Sequence, residues 1–173
     1  MEQVTEKEDS LKAAAAAMQA ARPLRAEEIC RDWLDSHPGS VEHMRLLGHA
    51  LMKQNRLQEA EENIRFALDL RPRQPQLHED LGSILALQGR LEDSVPAFEK
   101  AIELQPNLPL AHKKLGRALA ALGRGAEADD AFLEYFDRDP VAGEVAMGAD
   151  HLKAGREEEA IKVLQGPASS ISH

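Results

Sequence analysis

His78 and His112 stand 34 residues apart, and on neighbouring elements of equal length they could approach each other as a metal pair. A third ligand in register is missing, because Met44 and Glu144 hold the corresponding places. The two histidines therefore read as helix-face residues at a normally bulky position. Cys30 follows Ile29 at an apolar register and reads as a small buried hydrophobe rather than a reactive thiol. As the one cysteine of the chain it has no partner for an internal disulfide or a cysteine metal site. The sequence contains no phosphate-binding glycine loop, GxSxG, HExxH or Cys/His cluster. No catalytic residue, metal or cofactor is expected, and the chain reads as a non-enzyme.

The elements that position these side chains follow from composition and repetition. A chain of 173 residues suits one compact domain or one short repeat array. Hydrophobic residues at 43% make it too apolar for a disordered tail. Aromatics are only 3%, so the core is built mainly from Ala and Leu, which favours close-packed helices over strands. A net charge of -9 argues against nucleic acid and anionic lipid as partners. No apolar run approaches the roughly 18 residues of a membrane span. The stretch from Ala13 to Met18 is weakly hydrophobic and follows the acidic Glu2, Glu6, Glu8 and Asp9, unlike a signal peptide. The expected location is the cytoplasm.

Pro38, Pro72, Pro106 and Pro140 fall at a constant step of 34 residues. Leu47-Gly48, Leu81-Gly82 and Leu115-Gly116 keep the same step, as do Ala60, Ser94 and Ala128, with Ala26 before them. Arg56, Arg90 and Arg124 follow too, continued at a step of 32 by Arg156, and Gly89, Gly123 and Gly155 precede the last three. Agreement across these registers marks an internal repeat. Repeat two reads Met44, Leu47, Gly48, Leu51, Ala60, Ile64, Ala67, Pro72; repeat three reads His78, Leu81, Gly82, Leu85, Ser94, Phe98, Ala101, Pro106. Repeat four reads His112, Leu115, Gly116, Leu119, Ala128, Phe132, Tyr135, Pro140. On these residues the sequence strongly resembles the tetratricopeptide repeat family. The resemblance implies an all-α solenoid, a right-handed superhelix of about five antiparallel helix pairs forming one array over residues 1–165. The repeats fall at approximately 7–40, 41–74, 75–108, 109–140 and 141–165, with 166–173 as a flexible tail. Repeat one keeps Ala26, Cys30 and Pro38; repeat five keeps Gly148, Ala160 and Leu164.

Physical chemistry supports the pattern. Gly89, Gly123 and Gly155, with Asn55 as the next-best residue, suit the positive-φ backbone that ends a helix. Gly48, Gly82 and Gly116 lie inside the first helices, where glycine costs about 1 kcal/mol against alanine; close approach of the second helix offsets that. Second helices are expected over Leu57–Leu70, Leu91–Leu104 and Ala126–Phe136, each with an apolar stripe, and the prolines stop them. Pro96 is expected near the first turn of its helix, where a missing N–H does no harm. Trp33 and Tyr135 stand where Ala67 and Ala101 do, which predicts large-against-small packing on Ala13 and Ala14, and on Ala146 and Ala149. After Gly166-Pro167 no dedicated capping helix is visible, so a longer natural protein or a homodimer through the C-terminal repeat is a further expectation.

In such arrays the concave face, lined by first helices, is the binding surface. Its registers hold Glu42, Arg45, His49 and Lys53, then Gln76, Glu79, Asp80 and Ser83, then Leu110, Lys113, Lys114 and Arg117, then Val145, Ala149 and Lys153. The bands are basic, acidic and basic, which suits a protein or peptide partner carrying carboxylates near Lys113, Lys114 and Arg117. The family's chaperone-tail clamp is disfavoured, because Asp80 stands where an amide donor is needed. The run from Ile29-Cys30-Arg31 through His37-Pro38-Gly39-Ser40-Val41 to Arg45-Leu46-Leu47-Gly48 is also similar to the repeat-bearing half of tetratricopeptide–sulfotransferase proteins. That resemblance implies the alternative, an accessory or oligomerisation segment of a larger enzyme whose catalytic domain is not represented here. The leading expectation is a non-catalytic scaffold binding a partner peptide or helix.

Overall fold

The computed structural model describes residues 2–138. They form eight helices: α1 (Glu2–Gln19), α2 (Pro23–Ser36), α3 (Val41–Lys53), α4 (Leu57–Leu70), α5 (Pro75–Leu87), α6 (Leu91–Leu104), α7 (Pro109–Ala121) and α8 (Gly125–Arg138). The fold is an all-α tetratricopeptide-type solenoid of helix pairs. The expectations for repeat five, the tail, Gly155 and the Ala146 and Ala149 contacts lie outside the described residues. The chain divides into two compact units, Met1–Pro106 and Asn107–His173; the first holds α1–α6, and α7 and α8 belong to the second.

Within each pair the turn uses one local device. Asn55, Gly89 and Gly123 adopt φ of 60°, 78° and 76°, as their residue types require. The following residue then closes a wide loop: Arg56 N–H donates to Leu51 O at 3.0 Å, Arg90 to Leu85 O and Arg124 to Leu119 O at 2.9 Å each. The first pair does the same with Ala21 at φ 54° and Arg22 N–H on Ala17 O at 2.9 Å. An alanine there is strained, and its residue type gives no signal for the turn. Between pairs, Pro38, Pro72 and Pro106 each fall two residues past a second helix. Pro23, Pro75 and Pro109 open helices at the first position, where no N–H is needed.

The glycine registers act as expected. A Cβ on Gly48 would meet Ile64 Cδ1 at 2.8 Å, one on Gly82 would meet Phe98 at 2.7 Å, and one on Gly116 would meet Phe132 at 2.9 Å. In the first pair the same registers hold Ala14 and Cys30, both fully buried. Around them Val41, Met44, Leu51, Ile64, Leu77, Ile84 and Leu85 form the core of the first unit.

Two sequence expectations are refined. Pro96 lies in the second turn of α6, not the first, so the Glu92 carbonyl loses its usual N–H donor. Both residues are exposed, which leaves that carbonyl to water. Trp33 has aromatic neighbours that the large-against-small expectation did not include: its ring stacks on His37 at 4.0 Å and on His43 at 5.1 Å, while of the two alanines expected beside it Ala13 is exposed and Ala14 is buried. His43 supplies this face because it occupies a register held by Leu77 and Ala111 in the next pairs.

Candidate functional site

On α3, Arg45, His49 and Lys53 recur every four residues and so form one stripe. The facing helix α5 carries Asp80, only 5% exposed. Arg45 Nε donates to Asp80 Oδ2 at 2.7 Å and His49 Nε2 donates to Oδ1 at 2.8 Å. Burial alone would raise the Asp80 carboxyl; the bond and charge of His49 and the charge and bond of Arg45 outweigh it and hold the carboxyl below its ordinary value. The basic and acidic bands read from sequence are therefore joined here. Asp80 is a buried anchor that orients Arg45, not an open acidic patch. Among the described residues no carboxylate takes the two terminal nitrogens of Arg45, and the side chain is 37% exposed. Lys53, at the end of the stripe, is exposed.

Glu79 is largely buried, and its carbonyl accepts from Ser83 Oγ at 2.8 Å. In the second unit, Lys113 and Arg117 recur on α7 at the same four-residue spacing. Lys113 Nζ lies 5.4 Å from the centroid of the Tyr135 ring, which is 2% exposed. This gives Lys113 a structural contact, whereas Arg117 is exposed; Lys114, beside Lys113 in sequence, is half-buried.

Sequence reasoning missed a second set of charges. Glu27 and Glu61, 8% and 6% exposed, stand one repeat apart on α2 and α4. Glu27 accepts from Arg31 at 2.8 Å, Gln54 at 2.7 Å and Arg56 at 2.7 Å. Glu61 accepts from Arg65 at 2.9 Å, Gln88 at 3.0 Å and Arg90 at 2.9 Å. Burial pushes both carboxyls up, and these donors more than reverse it, so both are held below the ordinary value. The register of Arg56 and Arg90 is thus explained: each bolts the turn of one pair to the second helix of the pair before. The signal was present, since Glu27–Arg56 and Glu61–Arg90 share a spacing of 29. At the next occurrence the registers hold Val95 and Leu122, and Arg124 pairs with Glu127 on its own helix.

His78 Nε2 donates to the Pro72 carbonyl at 2.7 Å, and His112 is 6% exposed. Among the described residues no group of three or more His, Cys, Asp or Glu is placed to hold a metal ion. Burial pushes the Cys30 thiol up to about 12, which keeps it protonated and unreactive. No helix among the described residues is long and apolar enough to cross a membrane.

Helix pairs nested by glycine against a bulky side chain, bolted by repeated Glu–Arg pairs and carrying charged first helices, define a helical-repeat protein. The tetratricopeptide repeat model matches residues 45–109 and 88–143, together more than half of the chain, and the chain belongs to that family. No curated protein sequence matches it significantly. Among solved structures it is similar to TTC0263, a thermophilic TPR protein in Thermus thermophilus (18% identity, 90% of this chain and 87% of that one, TM-score 0.79). It is similar also to MamA 41-end from Desulfovibrio magneticus RS-1 (20% identity, 95% and 98%, TM-score 0.73). A third is YrrB, described as a TPR protein with an unusual peptide-binding site (20% identity, 90% and 81%, TM-score 0.64).

Proposed function

We propose that this chain is a non-catalytic protein-interaction scaffold whose first helices take an extended or helical segment of a partner protein bearing carboxylates. The observation that carries this reading is the presence of open cationic atoms on first helices of each unit taken by itself. In the first unit the terminal nitrogens of Arg45 and the ammonium of Lys53, and separately in the second unit the guanidinium of Arg117, are taken by no carboxylate among the described residues. A guanidinium already oriented by Asp80 loses little freedom on binding, so it suits a carboxylate better than a free one does. The peptide-binding site named for YrrB supports the same use of the fold.

Lys53 and Arg117 are the clean probes, because Lys113 also rests on Tyr135 and Arg45 also secures Asp80. A pull-down from the native source tests the reading. Lys53→Glu with Arg117→Glu should lose the acidic partner while far-UV circular dichroism stays unchanged. Retention of every partner by that double variant would place the binding surface elsewhere.

A further inference from the structure

His43 is fully buried at the third position of α3. Its Nδ1 lies 2.8 Å from Ser40 Oγ, and its Nε2 lies 3.1 Å from Ser10 Oγ on α1. Trp33 of α2 stacks on the ring at 5.1 Å. The imidazole thus joins three helices. A hydroxyl can donate or accept, so these two bonds serve either charge state of the ring.

What discriminates between the states is charge. The ring is buried away from solvent, Lys7 faces it from α1, His37 from the end of α2, and the start of α3 adds its partial positive charge. Glu42 acts the other way, but its own charge is shared between Lys7 at 3.0 Å and Arg71 at 2.7 Å. Burial chiefly, then Lys7, bring the His43 pKa down from 6.5 to about 4.

Helix α1 is the element that can yield at least cost. Its buried side chains among the described residues are only Ala14 and Ala17, whereas α3 and α5 bury Met44, Leu51, Leu77 and Ile84. We propose that His43 is an acid-sensitive latch: protonation of its ring on acidification releases α1 while α2 to α6 stay folded, uncovering the face of α2 that carries Cys30.

The sign follows from linkage. The proton binds more tightly to the released state, where the ring is in water, than to the docked one. Docking is therefore fully favoured above pH 6.5 and weakens by close to tenfold per pH unit down to about pH 4. Glu42, held at about 2, loses its contribution only as pH falls below 4.5, so it does not act in the upper part of that window.

The chain supplies its own reporter. Cys30 is its one cysteine, fully buried, and occupies the register that faces α1, as Ile64 faces Gly48. Labelling of the intact protein by dithiodipyridine should be followed from pH 7.5 to 5 at several low urea concentrations. Each rate is divided by that of glutathione at the same pH. The normalised rate should rise about 30-fold, with a urea dependence well below that of global unfolding by circular dichroism. His43→Gln should abolish the rise. If that variant does not fold, Lys7→Met should give a smaller rise than the natural chain by removing the facing cation. A flat wild-type profile, an unaltered slope in the folded variant, or labelling that tracks global unfolding would overturn the latch.

Discussion

In α5–α6 a glycine, Gly82, faces a phenylalanine, Phe98; in α1–α2 the same two registers hold Ala14 and Cys30. The α5–α6 hairpin nests a large ring into the gap of a missing side chain. The α1–α2 hairpin uses two small residues and closes the same gap from both sides. What the repeat requires at the crossing is a combined volume, divided either way, and not glycine as such. The division has consequences. A buried phenylalanine contributes far more apolar surface than a cysteine, so the α5–α6 crossing is anchored strongly and the α1–α2 crossing weakly. The same contrast underlies the choice of α1 as the helix that His43 can release.

Three substitutions break or sharpen this contrast. Phe98→Ala should have the largest effect, a loss of about 3–5 kcal/mol, because it removes the ring and leaves the Gly82 gap unfilled; urea melts measure it, and a loss under about 1 kcal/mol would mean the crossing is not where the stability lies. Gly82→Ala comes next. Helix propensity alone would make it favourable by about 1 kcal/mol, but a Cβ 2.7 Å from Phe98 forces the ring to move. A net loss of about 1–3 kcal/mol is expected, and a rise in melting temperature would show that the ring yields freely. The smallest effect belongs to the first turn. Ala21→Gly should stabilise the chain by about 0.5–1 kcal/mol, since alanine is strained at φ 54°. No change on calorimetry would mean the turn relaxes around alanine.

Much of the fold was legible because its devices are residue-type specific. Prolines at a fixed step and glycine or asparagine at the turns mark the ends of helices, and α4 and α6 fall where their apolar stripes placed them. Ala21 was illegible, since nothing in an alanine announces a positive φ. The partner of Trp33 was illegible for a related reason: His43 is polar at a register where Leu77 and Ala111 are apolar, so pattern alone gives it no core role. At the candidate site the positions on first helices were readable, but their pairing was not. Arg45 and Asp80 are 35 residues apart, one repeat and one residue, a relation visible only once adjacent helices are set side by side. Charges that looked like two opposed bands are in part a single ion-paired joint. That joint removes Asp80 from the open surface and leaves Lys53 on α3 and Arg117 on α7 as exposed cations.

We propose that these open cations hold an acidic segment of a partner. Fluorescence anisotropy with a labelled carboxylate-rich peptide from a captured partner, repeated across a salt series, tests it most directly. The account predicts that affinity falls steeply with salt for the natural chain, and that Lys53→Glu with Arg117→Glu weakens binding at least about tenfold while flattening the salt slope. Equal affinity and an equal salt slope in the double variant would contradict it.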